Sequence, residues 1–575
     1  MKRKSLLALG LMTPGAVAFA QVQAADVATA KAATCRPNIV FFLVDDFGWV
    51  DSEVAYGEQD YPYNHRFNTP NMKRFSQQAT ILTNAYAAPV STPTRTSLMT
   101  GMHAAHEHIT DFTSPYRDTP MDFSAGGVGI PRIDSTDVFS RGEWNYNGLY
   151  PVNDQYFPLD SAINNTLPCT PMVQLLKDNG YFTIHIGKAH WGSAGIPSAN
   201  PLNMGFVMQV AGGNNSHMRT YLSEDNFGNT SELWNPYAIQ NMQAYYGTGV
   251  HLTEALTREA LKALEFPIQT GQPFYLYMSH YAVHTPVSAD PRYFKKYRQA
   301  GMDKKEAQFA SIVEGADKSL GDVLDFLEKK GVADNTIIIF YSDNGGHSAN
   351  KAKGGQPHTQ NLPLREGKAS VYEGGTRVPM MVYWPGKTAA KARVNTPVSC
   401  EDFFPTIMEM AGIKDYKTIQ PLDGQSWVKL VTDGSQYVAK AEKDGLILDQ
   451  KSANRFTIPE EVSGLNPDRL IISHMPHQWR GDDQDDIDFM SSIRRGDWKL
   501  VYRMHNAVTP DHKGAFELYN LSEDITEHAD QAAQHPKLVK ELAKLLSDKL
   551  RSWDATMPIV KATGKPCPWP DEILK

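Results

Sequence analysis

A series of short, almost wholly apolar runs, each followed by polar residues, most constrains the fold. The first is Asn38 to Val44, with the sequence NIVFFLV. Runs of this length and composition are typical of strands that are buried on both faces of a parallel sheet. The other predicted strands are Phe182 to Ile186, Phe274 to Met278, Thr336 to Tyr341 and Met380 to Tyr383.

Helical patterns lie between these strands. Apolar residues recur at helical spacing over Leu252 to Leu264 and over Asp303 to Leu327, and Gly331 follows the second run as a helix cap would. Alternating strands and helices predict an α/β sandwich with a large central sheet that is mixed but mostly parallel. Two later strands, within 494–502 and 517–521, and a helix from Pro536 to Trp553 predict a smaller C-terminal α+β subdomain.

The N-terminus and the composition add domain boundaries and exclude some classes of protein. Residues 1–20 combine a basic start, an apolar stretch and the Ala18-Phe19-Ala20 site, which predicts a signal peptide and export to the periplasm or the medium. We predict a linker over 21–35, a catalytic domain over 36–425 and the subdomain over 426–575. No later run is long and apolar enough to span a bilayer. With 56 basic and 64 acidic residues, the chain lacks the basic surplus of a nucleic-acid-binding protein.

Polar side chains follow the predicted strands at the point where each strand ends. Asp45 and Asp46 follow the first strand, and Asp343 and Asn344 follow the fourth. Because the carboxyl ends of parallel strands meet at one edge of a sheet, these residues are expected to converge. Three carboxylates and an amide suit a hard cation such as Ca²⁺ or Mg²⁺. The alternative is that each pair only forms a turn after its strand.

Ser91 and Arg95 are the candidate reactive pair. Ser91 precedes a short helical run that Gly101 closes, so one interpretation is a simple helix N-cap, with Pro93 in the first turn. Arg95 lies one turn further on, so both residues could instead address one anion at the start of the helix. The remaining cationic or proton-transferring candidates, which could stabilise a developing oxyanion, are Lys188, His190, His284 and Lys368.

These motifs together resemble the sulfatase family. Ser91-Thr92-Pro93-Thr94-Arg95, followed by Thr100-Gly101, resembles the family signature of Cys or Ser, then x-Pro-x-Arg and a later Thr-Gly. The order of the other elements also resembles the family, and the resemblance runs from about residue 36 to at least 525. These elements are Asn38 to Gly48, Gly187-Lys188-Ala189-His190, His284-Thr285-Pro286, Ser342 to Gly346, Gly367-Lys368 with Glu373 to Pro379, Asp402 to Thr406 and Leu422-Asp423-Gly424.

The resemblance implies a fold of the alkaline phosphatase superfamily and a specific chemistry. It implies that Ser91 is oxidised to formylglycine (3-oxoalanine), whose hydrated form attacks the sulfur of a sulfate ester and later expels sulfate. The metal ligands that it implies for one Ca²⁺ are Asp45, Asp46, Asp343, Asn344 and the modified residue 91. It further implies that Arg95 and Lys188 stabilise residue 91, that His190 is a base, that His284 protonates the leaving alcohol, and that Lys368 holds the sulfate.

The resemblance also implies a partner, whereas the substrate rests on weaker patterns. A serine at position 91 implies a transient partner, the radical-type sulfatase-maturing enzyme of anaerobic bacteria. Export and aromatic-rich loops favour a sulfated carbohydrate, cleaved in exo fashion from a host glycan or algal polysaccharide with a galactose or N-acetylhexosamine unit. The candidate substrate contacts, each of which could equally be loop packing, are His103, His106, His108, Trp144, Tyr146, Trp191 and Arg365.

Two other functions remain open on the sequence. One is a phosphatase or phosphodiesterase of the same superfamily that uses unmodified Ser91 and two Zn²⁺ ions. Arg95, Lys188 and Lys368 speak against it, because they stand where ligands for the second metal ion would be expected. The other is a glycan-binding protein without activity, which would be expected to lack His190, His284 or Lys368.

Overall fold

The strand Asn38–Val44 lies inside an eight-stranded sheet, between two parallel neighbours. The computed structural model describes residues 36–57, 59–114, 138–140, 146–152, 166–229, 235–347, 360–445, 457–477 and 488–574. The predicted signal peptide, the linker and Trp144 lie outside these residues. Among the described residues, no helix has the length and apolar character needed to cross a membrane.

The large sheet runs in the order β11-β2-β10-β9-β1-β8-β6-β7. Strands β9, β1, β8, β6 and β7 run parallel to one another, and β10 is antiparallel to both β9 and β2. The strands of this sheet are β1 (Asn38–Val44), β2 (Thr80–Leu82), β6 (Phe182–Gly187), β7 (Met208–Val210), β8 (Phe274–Ser279), β9 (Thr336–Ser342), β10 (Met380–Tyr383) and β11 (Arg393–Val394). The predicted α/β class and all of the predicted strands of this sheet are confirmed.

The remaining strands form three smaller sheets. They are β3 (Phe139–Ser140), β4 (Leu149–Pro151), β5 (Leu167–Cys169), β12 (Ile471–Met475), β13 (Met490–Arg495), β14 (Trp498–Arg503), β15 (Phe516–Asn520), β16 (Ile559–Val560) and β17 (Lys565–Pro566). β12 to β15 form an antiparallel sheet in sequence order, and the run predicted as a turn and a strand is the hairpin of β13 and β14.

The described α-helices cover both faces of the large sheet and one face of the C-terminal sheet. They are α1 (Pro70–Ser76), α2 (Ser91–Thr100), α3 (Ala104–Glu107), α4 (Met172–Asp178), α5 (Leu252–Thr270), α6 (Phe294–Gln299), α7 (Lys304–Lys329), α8 (Glu373–Thr376), α9 (Phe403–Met410), α10 (Ser435–Lys443), α11 (Glu460–Ser463), α12 (Met504–Ala507) and α13 (Pro536–Ser552). Short 3₁₀ segments lie at 62–65, 197–199, 201–204, 223–228, 243–245, 333–335, 400–402 and 572–574, and a π-helical turn lies at 430–434.

The strands of the large sheet divide their side chains between two cores. Val40 and Phe42 face the core that includes α5 and α7, whereas Ile39 and Phe41 face the core that includes α4 and α9. Burial of both faces explains why these strands read as continuous apolar runs. The N-cap of α7 is Asp303, whose carboxylate accepts hydrogen bonds from the amides of Lys305 and Glu306, so the predicted start of this helix is correct to one residue.

Residues Pro37–Lys575 form one compact unit in which the C-terminal sheet has its own core. Trp427, Leu430 and Leu465 still pack in the core of the large sheet, and Ile472 is the first residue of the C-terminal core beyond them. In packing, the change of core therefore falls after Leu465, later than the boundary predicted at 425. Short helical segments lie at 430–434, 435–443 and 460–463, between the predicted boundary and the observed one. The sequence composition therefore does not show where one core ends and the other begins.

A buried charge cluster joins α8 to the C-terminal sheet. Lys499 on β14 lies 2.8 Å from a carboxylate oxygen of Glu373 and 2.8 Å from one of Glu527. Burial favours the neutral form of both acids, but Lys499 and Arg377 outweigh it at Glu373 and lower that pKa to about 2. At Glu527 burial dominates and raises the pKa to about 7. Lys499 thus forms ion pairs with two buried carboxylates, and Glu527 has the higher pKa of the two.

Glu527→Gln should make folding stability less dependent on pH. The folded-state pKa of about 7 lies above the ordinary value of 4.5, so the contribution of Glu527 to stability is full below pH 4.5 and is lost as the pH rises towards 7. Glutamine never ionises, so between pH 5 and pH 8 the variant should gain about 2–3 kcal/mol relative to the wild type. Urea unfolding at both pH values measures this. The exposed Glu523→Gln is the control, and equal slopes for all three proteins would contradict the prediction.

Candidate active site

The polar clusters come together because the parallel strands before them end at the same level of the sheet. Val44 pairs with Ser342, Leu43 pairs with Ser279, and Ser279 pairs with Gly187. The residues that follow β1, β6 and β9 therefore emerge at one edge of the sheet, as the sequence predicts.

Gly187 allows Lys188 to turn into this edge. The Gly187 backbone has a φ of +97°, and a β-carbon there would lie 1.9 Å from the carbonyl oxygen of Ser279. The next amide, that of Lys188, donates to the same carbonyl over 2.8 Å. This close approach requires glycine.

Ser91 is the first residue of α2 and is not its N-cap, so the capping interpretation is wrong. The N-cap is Val90, and the Ser91 hydroxyl points into the site instead. Its Oγ lies 3.3 Å from Asp45 Oδ1, 3.1 Å from Asn344 Oδ1 and 3.2 Å from Lys188 Nζ. The predicted end of the helix is confirmed, because Gly101 closes it in the left-handed conformation.

Arg95 is wholly buried one turn further along α2. Its Nε donates to Asp343 Oδ2 over 2.9 Å, and its Nη1 donates to Ser279 Oγ over 2.6 Å and to the Lys188 carbonyl over 3.2 Å. Burial works to lower the pKa of Arg95, but Asp343 outweighs it and raises that pKa. Arg95 thus ties α2 to the ends of β6, β8 and β9.

Four oxygen-bearing side chains that no solvent reaches surround Ser91. Asp45, Asp46, Asp343 and Asn344 are all fully buried. Asn344 Nδ2 donates to Asp46 Oδ1 over 2.8 Å, and the amide of Asp46 donates to Asp343 Oδ1 over 3.1 Å. Burial and the neighbouring Asp45 raise the pKa of Asp343. Several hard oxygen donors this close together fit the ligand preference of a calcium ion. A cation there would relieve the repulsion among the carboxylates.

Lys188 and Lys368 supply positive charge from opposite sides of this cluster. Lys188 Nζ lies 2.8 Å from Asp45 Oδ2, and Lys368 Nζ lies 2.7 Å from Asp46 Oδ1. Burial lowers the pKa of Lys188 against the pull of Asp45. Burial opposes the protonated form of Lys368 too, but Asp46 outweighs it and raises that pKa. Both amines are placed to donate hydrogen bonds to an anion beside Ser91.

The tautomers of His284 and His190 follow from the carbonyl groups beside them. His284 Nδ1 lies against the carbonyl of Thr285, which can only accept, so Nε2 is left as an acceptor 3.2 Å from Lys368 Nζ. His190 Nε2 donates to the Thr113 carbonyl over 3.0 Å, which leaves Nδ1 to accept from Thr92 Oγ1 over 3.2 Å. His190 therefore reaches residue 92 rather than Ser91. Burial lowers the pKa of both rings well below the ordinary value.

Two of the predicted substrate contacts belong to the packing of the protein. Trp191 is fully buried, and its Nε1 donates to the carbonyl of Arg95 over 3.1 Å. His103 is buried, stacks on Trp553 with centroids 4.2 Å apart, and bonds through Nε2 to the carbonyl of Ile472. These contacts within the protein argue against the predicted substrate role of both rings.

The other predicted contacts have partners within the protein. His106 lies 2.8 Å from the carboxylate of Asp423, and His108 lies 3.3 Å from Thr556 and edge-on to Tyr146. Arg365 donates to the hydroxyl of Tyr519 and to the carbonyl of Glu527, and its guanidinium stacks on Tyr372. These contacts hold loops and the C-terminal sheet in place, and a substrate role for these residues stays a prediction.

The structure adds three residues that the sequence analysis missed. Ser279 accepts from Arg95, His347 Nδ1 lies 4.0 Å from Asp46 Oδ2, and the ring of His217 stacks on His284. Burial and nearby Lys188 and Lys368 lower the pKa of His217 to about 3. His347 could have been found from its position directly after Asp343 to Gly346, whereas His217 lies in a loop without periodicity and gave no signal.

Comparison with known proteins agrees with this geometry. The profile of the Sulfatase family matches residues 37–413. A protein named "Sulfatase" from Formosa agariphila is 26% identical, over 91% of this chain and 90% of its own length. The human N-acetylgalactosamine-6-sulfatase is 28% identical, over 67% of this chain and 64% of its own length.

Solved structures share the fold. The crystal structure of Ps i-CgsB, also solved in complex with k-i-k-neocarrahexaose, superposes with a TM-score of 0.61 at 23% identity and covers 90% of this chain and 93% of its own. BT4656, solved with D-glucosamine-2-N,6-O-disulfate, gives a TM-score of 0.56 at 17% identity and covers 90% and 98%. Since the family profile spans most of the chain and its motifs meet in one buried site, the chain belongs to the sulfatase family of sulfuric ester hydrolases.

Proposed function

We propose that the protein hydrolyses sulfate esters of carbohydrates with a formylglycine made from Ser91 and one Ca²⁺ ion. The observation that carries this proposal is the position of the Ser91 hydroxyl. It lies within 3.3 Å of Asp45, Asn344 and Lys188 at the convergence of separate strand ends. When present, the modified residue supplies two hydroxyls on one carbon, one for attack on sulfur and one for release of sulfate, and the cation supplies charge stabilisation.

The side chains around position 91 are suited to hold charge and orient the ester. Lys188 Nζ bridges Ser91 Oγ and Asp45, so it donates to an oxygen on residue 91 and stabilises negative charge there. Arg95 fixes the position of Asp343, and Asp46 and Asn344 complete an oxygen shell that would hold the Ca²⁺ ion. Because all of these groups are buried, their electrostatic effect on a bound ester is strong.

His284 and Lys368 are placed to protonate the leaving alcohol. His284 Nε2 and Lys368 Nζ lie 3.2 Å apart, so both groups can stand beside the departing oxygen, and the one that carries the proton donates it there. A sugar alkoxide is a poor leaving group, so this transfer matters more for a sugar sulfate than for an aryl sulfate. Lys368 also reaches Asp46, one of the residues that would hold the cation, so its charge lies beside the proposed cation site.

His190 is proposed to act as the base when sulfate is released. Its Nδ1 lies beside Thr92 Oγ1, and residue 92 adjoins the modified position. The Thr113 carbonyl holds the proton on Nε2, so Nδ1 is the ring nitrogen that can accept a proton. A proton taken from a hydroxyl of residue 91 would therefore pass to Nδ1, directly or through Thr92.

The substrate is proposed to be a sulfated sugar, attacked in exo fashion on a galactose or N-acetylhexosamine unit. The human relative is named N-acetylgalactosamine-6-sulfatase, and the half-buried ring of His217 stacks on His284 and on Tyr237. We further propose that the protein is exported to the periplasm or the medium. A radical-type maturing enzyme of anaerobic bacteria would act on Ser91 before the chain folds, because Ser91 is 3% exposed in the folded protein.

Mass spectrometry of the Ser91 peptide tests the proposal directly. In protein expressed together with an anaerobic maturing enzyme, the peptide should lose about two mass units relative to serine, and the protein should bind one Ca²⁺ per chain. This material should release sulfate from galactose or N-acetylgalactosamine sulfates, and protein with plain Ser91 should not. Active enzyme with unmodified serine, or two Zn²⁺ per chain with release of phosphate from phosphate monoesters, would sink the proposal.

A further inference from the structure

Three aromatic rings form a stack at the edge of the site, here called the ring stack: Tyr237, His217 and His284. The rings of His217 and His284 are parallel within 4°, with centroids 5.3 Å apart. Tyr237 lies against the other face of His217, with centroids 4.1 Å apart. His217 is half-buried, so part of it remains accessible. The proposed chemistry uses only one of the three rings, His284.

The loop that carries His217 is fixed at several points between β7 and the ring stack. The carbonyl of Ala211 accepts from the hydroxyl of Tyr281 over 2.9 Å, and the carbonyl of Gly213 accepts from the amide of His190 over 3.2 Å. The buried side chain of Asn215 donates to the carbonyls of Pro236 over 2.8 Å and Ala238 over 3.1 Å. These bonds tie the loop both to the proposed base and to the segment of Tyr237, so His217 is held ready before any ligand binds.

One nitrogen of His217 is available for a ligand. Its Nδ1 lies 2.9 Å from Ser216 Oγ. Within the described part of the chain, its Nε2 has no hydrogen-bond partner. Either tautomer leaves Nε2 able to bond a hydroxyl, which can both donate and accept. A ring that is fixed on both faces and has one unused polar atom is suited to reading a substituent on a substrate.

We propose that His217 is a specificity-determining residue whose Nε2 hydrogen-bonds the sugar hydroxyl nearest to the sulfate ester. The inference rests on the proposed function. If His284 protonates the bridging oxygen of the ester as proposed, a ring stacked on His284 lies next to the leaving group, close to that oxygen. Tyr237 then extends the stack outward as an apolar wall for the same sugar. The ligand class is a sugar sulfate with a free hydroxyl beside the ester.

The test compares one sugar sulfate with its deoxy analogue in the wild type, in His217→Phe and in a control variant. The probes are the methyl galactoside 3-, 4- and 6-sulfates, and, for the one that the matured enzyme hydrolyses best, its analogue in which hydrogen replaces the nearest hydroxyl. Wild-type kcat/KM should fall about 10- to 100-fold on this replacement. His217→Phe keeps a ring for the stack but lacks the nitrogen, so it should hydrolyse both substrates at the same reduced rate. The control is His535→Phe, an exposed histidine that packs on Trp498 in the C-terminal subdomain and should match the wild type.

The other outcomes overturn the inference. His217→Phe that still discriminates between the two substrates would show that Nε2 does not read the hydroxyl. Equal losses on both substrates with discrimination retained would make His217 a positioning residue for His284. Hydrolysis of 4-nitrophenyl sulfate but of no galactoside sulfate would leave no sugar hydroxyl for His217 to read. Failure of the proposed sulfatase chemistry is distinct, because matured wild-type enzyme would then release sulfate from none of these compounds, the aryl sulfate included.

Discussion

Ser91→Ala should abolish sulfate release and leave the fold intact. The Ser91 hydroxyl is the only part of the side chain that contacts Asp45, Asn344 and Lys188, and alanine cannot be oxidised to an aldehyde. Loss of a nucleophile costs about 10⁴-fold or more in kcat. The cost in stability should be only about 1 kcal/mol, because one hydroxyl with modest hydrogen bonds is removed. Sulfate release by matured protein and thermal unfolding measure the two effects.

A second serine on the same helix provides the matched control. Ser97 is buried on α2, nearly two turns from Ser91, and within the described residues its hydroxyl bonds none of the groups proposed to act on the ester. Ser97→Ala should therefore keep wild-type activity after maturation. Residual activity of Ser91→Ala within tenfold of the wild type would mean that another group attacks the ester, and the role given to Ser91 would be wrong. Equal loss in both variants would point to damage of α2 instead.

The sequence predicted the centre of this site well because the centre depends on strand ends. Apolar runs located β1, β6, β8 and β9, and parallel pairing then placed Asp45, Lys188 and Asp343 at one edge. That inference needed no side-chain geometry, since the register of the strands makes the three positions level. The position of Ser91 needed more, because its local pattern also fitted a helix cap, and only the structure shows that Val90 is the N-cap instead.

The surroundings of the site could not be read in the same way. Trp191 and His103 sit in loops whose aromatic content favours a sugar site, yet both rings pack against distant parts of the chain, Arg95 and Trp553. Whether a loop ring faces solvent or core depends on contacts that no sequence period encodes. His217 shows the converse, since it lies beside His284 in an irregular loop that is held by bonds from the Asn215 side chain to the carbonyls of Pro236 and Ala238.

Arg95→Met should lose both stability and activity, and a second buried arginine can separate the two effects. Arg95 and Arg469 each pair with a carboxylate that is fully buried, Asp343 and Asp402. Removal of either arginine leaves that charge uncompensated, at a cost of about 3–5 kcal/mol. Both variants should therefore unfold at lower urea concentration than the wild type, by similar amounts, in chemical denaturation.

Activity per folded molecule should distinguish the two variants. Asp402 belongs to the turn before α9, where Arg469 Nη1 and Nη2 bind its two oxygens over 2.6 and 2.8 Å, away from the Ser91 hydroxyl. Arg469→Met should keep wild-type kcat once the folded fraction is corrected for. Arg95→Met should lose about 10²- to 10³-fold, because Asp343, Ser279 and the Lys188 carbonyl lose their shared donor. Arg95→Lys keeps the charge but cannot form the fork of bonds, so it should recover stability more than kcat. If Arg95→Met kept full kcat, Arg95 would be a structural residue of α2 and its proposed place in the chemistry would be wrong.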